Sequence, residues 1–146
     1  MARNLIFMTG ATGVLGQDLV KELLHTTDSE IAILARAKNR ATHSERVKKI
    51  LTAIGIHSHL GSRIHVIEGD VTHHKFGIKK EDLAFLEREC KVFYHIAALT
   101  ALNGTEKECQ QINVGGTAHA HDAGSAGSRG MMCAWRCGAP SPNMIV

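Results

Sequence analysis

The residues with the clearest chemical purpose are the glycines of Thr9-Gly10-Ala11-Thr12-Gly13-Val14-Leu15-Gly16. In such a turn Gly10 permits a sharp reversal, Gly13 lets the backbone approach a pyrophosphate with no Cβ in the way, and Gly16 lets a following helix pack closely on the preceding strand. The unsatisfied amides at that helix start, with the positive end of its dipole, would then hold phosphate oxygens. A purely structural glycine turn has the same spacing, and the flanking elements decide between the two. No Gly-Lys-Ser/Thr follows, so the lysine that grips phosphates in a P-loop is missing, which argues against ATP chemistry.

Further along, Leu34-Ala35-Arg36 is followed by no carboxylate until Glu45. NAD-binding domains usually place an acid there for the ribose hydroxyls, whereas an arginine suits the 2′-phosphate of NADP because a guanidinium presents paired donors to phosphate oxygens. From Arg36 to Lys49 six basic residues stand against one acid. Arg36 is the candidate phosphate ligand, and Lys38, Lys48 and Lys49 read as a solvated face. No aromatic residue lies among them to stack on a base, which argues against nucleic acid. Asp70, in Gly69-Asp70-Val71-Thr72, is placed either to accept a hydrogen bond from an adenine amino group or simply to form a turn.

The elements that must position these residues alternate. Leu5 to Thr9 and Ile31 to Ala35 are short, mainly apolar runs without polar alternation, as expected of strands buried on both faces of a parallel sheet. Between them Leu15, Leu19, Val20, Leu23 and Leu24 trace one face of a helix. Thr42-His43-Ser44-Glu45 has the form of a capping box ahead of Val47, Ile50, Leu51 and Ile54. Arg63 to Glu68, Glu81 to Glu89, Val92 to Ala98 and Glu106 to about Ala120 add strand, helix, strand and helix. This alternation predicts an α/β fold, a doubly wound parallel sheet of the Rossmann type, and with it dinucleotide binding at the glycine turn.

Residues 1–120 are accordingly expected to form the nucleotide-binding domain. Residues 121–146 hold both prolines, the only tryptophan and two of the four cysteines, with neither periodicity; they read as an irregular tail, disordered or the product of a shifted reading frame. A sheet ending at the fourth strand would leave that strand an unpaired edge, which predicts self-association or poor solubility.

The 146 residues, 44% hydrophobic and 21% charged, suit one soluble domain, and a net charge of +3 is too mild to imply nucleic acid or an anionic membrane. The apolar run Leu5 to Met8 falls short of the ~7–15 residues of a secretory signal, and nothing approaches the ~18 of a membrane span. With the cysteines read as reduced thiols, the expected compartment is the cytoplasm. His119-x-His121 and Cys133-x-x-x-Cys137 offer zinc-type ligands without a fold signature around them, so no metal is expected. The other histidines read as surface or loop residues, and Cys90 and Cys109 as packing residues.

With these residues in hand, the chain resembles the extended short-chain dehydrogenase/reductase superfamily, and within it the NADP-using thioester reductase and fatty acyl-CoA reductase-like branch. The resemblance rests on TGATGVLG at 9–16, LAR at 34–36, GDVT at 69–72, HIAALT at 95–100 and INVGGT at 112–117. It implies that Thr9, Gly10, Thr12, Gly13, Val14, Leu15 and Gly16 hold the pyrophosphate, that Arg36 and Arg46 take the 2′-phosphate, and that Asp70 and Val71 flank the adenine. Ala97, Ala98 and Leu99 would line the path to the nicotinamide ribose, and Asn113 would brace the fourth helix. The implied cofactor is NADP (NADPH), with NAD as the alternative.

The superfamily's catalysis uses a Ser or Thr after a fifth strand and a Tyr-x-x-x-Lys on the next helix. This chain has one tyrosine, Tyr94, placed inside the fourth strand with Ala98 four positions on. The expected function is therefore the NADP(H)-binding domain of a reductase of acyl thioesters or related carbonyls, without the catalytic half. The alternatives are a non-catalytic NADP(H)-sensing module and a fragment of a nucleotide-sugar epimerase or dehydratase.

Overall fold

A computed structural model describes residues 4–36, 42–97, 105–125 and 132–134. Along them run β1 (Leu5–Thr9), α1 (Val14–Thr26), β2 (Glu30–Ala35), α2 (His43–Ala53), β3 (Ile64–Glu68), α3 (Lys80–Glu89), β4 (Cys90–His95), α4 (Glu106–Cys109), a π-helical stretch Gln110–Gly115, α5 (Gly116–Ser125) and β5 (Met132–Ala134). The strands form one sheet in the order β3-β2-β1-β4-β5, and every pairing is parallel. This is the expected doubly wound arrangement, with its switch point between β1 and β4, where such sheets open a crevice at the carboxyl ends of the strands.

Strands β1, β2 and β3 bury side chains on both faces of the sheet. All five residues of β1 are buried. Ile6 and Met8 join Val20, Leu24, Ile31, Ile33, Val47, Leu51 and Ile64 on one face; Leu5 and Phe7 join Ala32, Leu34, Ile67, Phe76, Leu86, Phe93 and Ala120 on the other. The period of two along β1 thus divides one apolar run between two cores. The Thr42–Glu45 capping box is present at the start of α2. At the opposite end of the sheet Arg63 donates to the carbonyls of Leu24, Thr27 and Ser29, closing the last turn of α1 and the approach to β2.

Three expectations are corrected. Leu15 is not on the inward face of α1: it is 49% exposed, because it stands in the first turn of the helix, beside the open crevice at the carboxyl end of β1. The fourth strand is not an unpaired edge, since β5 lies along it with Phe93 opposite Met132 and His95 opposite Ala134; the physical basis for self-association through β4 is therefore gone. The stretch read as an irregular tail contributes the end of α5 and all of β5, so position 120 falls inside a helix. No helix among the described residues is long and apolar enough to cross a membrane.

His95 is a further correction. It is buried in β4, directly opposite Thr9 of β1, and not at the surface. Its Nδ1 and the Thr9 hydroxyl share a 2.7 Å hydrogen bond, while its Nε2 is buried without a partner. Burial in this aromatic surrounding lowers its pKa to about 4, so the folded protein keeps a neutral imidazole. The unfolded chain accepts a proton near pH 6.5 that the folded chain refuses, so the fold loses stability as pH falls from about 6.5 towards 4. Chemical denaturation at pH 7 and pH 4.5 should show the wild type losing about 2–3 kcal/mol more than His95→Gln, which keeps an amide for Thr9 but does not titrate. Equal losses in the two proteins would contradict the assignment.

Candidate dinucleotide-binding site

The turn between β1 and α1 is built so tightly that side chains are excluded from it. Gly10 adopts φ +75°, and a Cβ there would lie 2.5 Å from the Ala97 nitrogen. A Cβ on Gly16 would overlap the Gly10 carbonyl and the Ala11 Cα. Gly13 is different: its nearest neighbour to a Cβ is the Gly10 oxygen at an ordinary 3.5 Å, and its φ of −82° suits any residue. Gly10 and Gly16 are therefore required by the fold, and the open space at Gly13 is available to a ligand. The Gly13 amide donates to Gly10 O and the Gln17 side chain to Thr12 O, which fixes the loop.

Helix α1 begins at Val14 without a side-chain cap and without an acid in its first turn. Its first intrahelical bond is from Gln17 to Gly13, so the amides of Val14, Leu15 and Gly16 have no acceptor one turn back. They face a cavity of about 540 Å³ lined by Gly10, Thr12, Gly13, Val14, Leu15, Gly16, Leu34, Ala35, Arg36, Arg46, Gly69, Asp70, Val71, Ile96, Ala97 and Ile112. Most of the residues singled out in the sequence meet here. Thr9 does not: it lies beneath the turn, 1% exposed, with its hydroxyl bonded to His95. Ala98, Leu99 and Lys38 lie outside the described residues.

At the far end of the cavity Arg36 and Arg46 come together. Arg46, on α2, donates to the Arg36 carbonyl oxygen, so the helix start braces the backbone that carries Arg36. The Arg36 guanidinium reaches Asp70 Oδ2 at 3.4 Å. Asp70 Oδ1 accepts from the Thr72 amide at 2.9 Å and the Thr72 hydroxyl at 2.8 Å, which makes it the turn former that its sequence context allowed as well as a wall of the cavity. Burial alone would push the Asp70 carboxyl up, but the Thr72 bonds and the charges of Arg36 and His73 together hold it below the usual carboxylate value.

The Asp70 loop is itself held from behind. Lys75, Phe76 and Gly77 have φ of 49°, 57° and 59°, a left-handed run that turns Phe76 into the core beside Phe7 and Phe93. The Phe76 carbonyl then accepts the Asp70 amide at 2.8 Å. His119 of α5 bonds to the Val71 carbonyl at 3.0 Å, and Gly116 passes 3.4 Å from Val71 at the point where a Cβ would stand. His119 thus has a structural partner, and among the described residues no group of three or more His, Cys, Asp or Glu could hold a metal.

Leu34, Ala35, Gly69, Ile96 and Ile112 line the cavity without having been singled out as site residues. The first four sit next to residues that were, at the carboxyl ends of their strands, which is the available signal. Ile112 lies in the π-helical stretch; the INVGGT segment that it opens carries the family resemblance, but no periodicity marks Ile112 as a cavity residue.

Residues 8–132 match the NAD-binding family described as "Male sterility protein". The chain is 32% identical to fatty acyl-CoA reductase 2 of Mus musculus over 120 residues, which is 77% of this chain and 23% of that protein. It is 28% identical over 127 residues to the L-2-aminoadipate reductase large subunit of Eremothecium gossypii, covering 84% of this chain and 9% of that one. The terminal R domain from the myxalamid PKS-NRPS biosynthetic pathway superposes with a TM-score of 0.78 at 27% identity, over 92% of this chain and 35% of that domain. This chain thus spans less than a quarter of the curated relatives named. Fold, glycine turn and sequence match agree: the chain belongs to the NAD-binding Male sterility protein family, as an α/β domain whose cofactor is a nicotinamide dinucleotide.

Proposed function

We propose that this chain is the NADP(H)-binding domain of a reductase that acts on acyl thioesters. The observation that carries the reading is one cavity with an uncapped helix start and an open glycine at one end and two arginines at the other. The amides of Val14, Leu15 and Gly16 hold the pyrophosphate, and Gly13 admits it. Arg36 takes the 2′-phosphate, with Arg46 setting its backbone, and Asp70 and Val71 bound the adenine. Ile96, Ala97 and Ile112 give the end next to Gly10 an apolar wall that keeps water from a reacting carbon.

NADPH, when bound, supplies a hydride to the carbonyl carbon of the substrate. The thioester class is favoured because fatty acyl-CoA reductase 2 acts, by its name, on an acyl-CoA. Among the described residues no Tyr, Lys or His lines the cavity, and Tyr94 packs into the core on one face of the sheet. The reading therefore assigns dinucleotide binding, and no proton donor, to these residues.

Calorimetric titration tests the reading directly: NADPH should bind saturably and more tightly than NADH. Arg36→Ala should weaken NADPH about 10- to 100-fold, the worth of a charged hydrogen-bonded contact, and NADH less than about threefold. Equal losses for both dinucleotides, or no binding of either, would overturn it. Gly13→Ala separates fold from function, because the methyl group has room in the protein but occupies the path of a pyrophosphate. Its unfolding free energy should stay within about 1 kcal/mol of wild type while both dinucleotides lose at least about tenfold in affinity. Wild-type binding by that variant would remove the phosphates from this turn.

A further inference from the structure

We propose that Asp70 limits the site's preference for a 2′-phosphorylated dinucleotide, because its carboxylate holds the same Arg36 guanidinium that the phosphate must recruit. The inference rests on the NADP(H) reading and assigns Asp70 a second role beside bounding the adenine.

The geometry sets one anion against another. Arg36 Nη1 and Asp70 Oδ2 are 3.4 Å apart across the cavity mouth, with the Arg36 side chain 51% exposed and that of Asp70 23% exposed. Asp70 cannot retreat. Its Oδ1 is fixed by the Thr72 amide and hydroxyl, its own amide by the Phe76 carbonyl, and the Gly69 that precedes it has no room for a side chain against Phe76 and Leu34. Arg36 is the mobile partner, and a long exposed ion pair of this kind holds it only weakly. A phosphate drawn to Arg36 thus arrives close to a carboxylate that stays in place and stays ionised.

Two effects of the carboxylate on phosphate binding oppose each other. Holding one Nη1–H orients the guanidinium, which helps; repulsion between the carboxylate and a phosphate of about two negative charges hinders. The exposed 3.4 Å contact provides little orientation, whereas the repulsion acts on the full phosphate charge over a few ångströms, so repulsion dominates. Neutralising Asp70 frees the Arg36 guanidinium of its carboxylate partner and sharpens the preference. NADH lacks the 2′-phosphate, and its pyrophosphate and adenine are shared with NADPH, so the ratio of the two dissociation constants cancels what Asp70 does to those common groups and isolates its effect on the 2′-phosphate.

The test is the ratio Kd(NADH)/Kd(NADPH) for the full chain, measured at about 50 mM and 500 mM salt in wild type, Asp70→Asn, Asp70→Ser and Asp70→Asn combined with Arg36→Ala. Asn keeps an oxygen for Thr72, and Ser is the second route should Asn disturb the loop. The ratio should rise about three- to tenfold in Asp70→Asn at low salt, shrink towards the wild-type value at high salt where the Debye length is only a few ångströms, and collapse to about one in the double variant. An unchanged or lower ratio in both single variants overturns this inference while leaving the NADP(H) reading intact. A wild-type ratio of one, or no binding of either dinucleotide, overturns the reading and this inference with it.

Discussion

The structure depends on one close approach: the backbone of β1, α1 and β4 meets at Gly10, where there is no space for a Cβ. Ile96 and Ala97, just past the end of β4, close on Gly10, and Gly16 of α1 closes on it from the other side. That contact sets the end of β1 against the end of β4 at the switch point of the sheet. It also aims the start of α1 at the crevice with its amides uncapped. The fold and the site are therefore one constraint: a larger residue at Gly10 or Gly16 would push apart the elements that make the cavity.

Beneath the turn, the Thr9–His95 pair ties the same two strands at their last residues, and the Thr9 hydroxyl also receives the Ala97 amide at 3.4 Å. A single buried hydroxyl links the strand that precedes the glycine turn to the segment that closes on it. On the other side of the cavity the left-handed turn at Lys75–Gly77 holds Asp70 by its amide, and Arg46 holds Arg36 by its carbonyl. The charged residues at the site thus stand on backbone anchored by the core.

Much of this was legible because the local signals agree with the global fold. The apolar runs of β1 and β2, the periodicity of α1, the capping box of α2 and the glycine spacing each point to the same parallel sheet. Arg36 and Asp70 stand out by their positions just past the ends of β2 and β3, whereas Arg46 and Val71 come from the family resemblance; all four line the cavity. The strand β5 was missed because three residues in a glycine- and cysteine-rich stretch carry no period; its pairing is a property of the open side of β4. The buried His95 was missed because histidine suggests a surface, although it stands two residues after Phe93 and so shares that residue's inward face. Thr9 was counted with the phosphate loop as part of the motif, yet its side chain points into the sheet.

The central claim is that the first-turn amides of α1 are the phosphate site, and amide-resolved nuclear magnetic resonance reads them one by one. On titration with NADPH the account predicts the largest shifts at the amides of Gly13, Val14, Leu15 and Gly16, accompanied by the Arg36 guanidinium resonance. Shifts concentrated away from that turn, with those four amides unmoved at saturation, would contradict it.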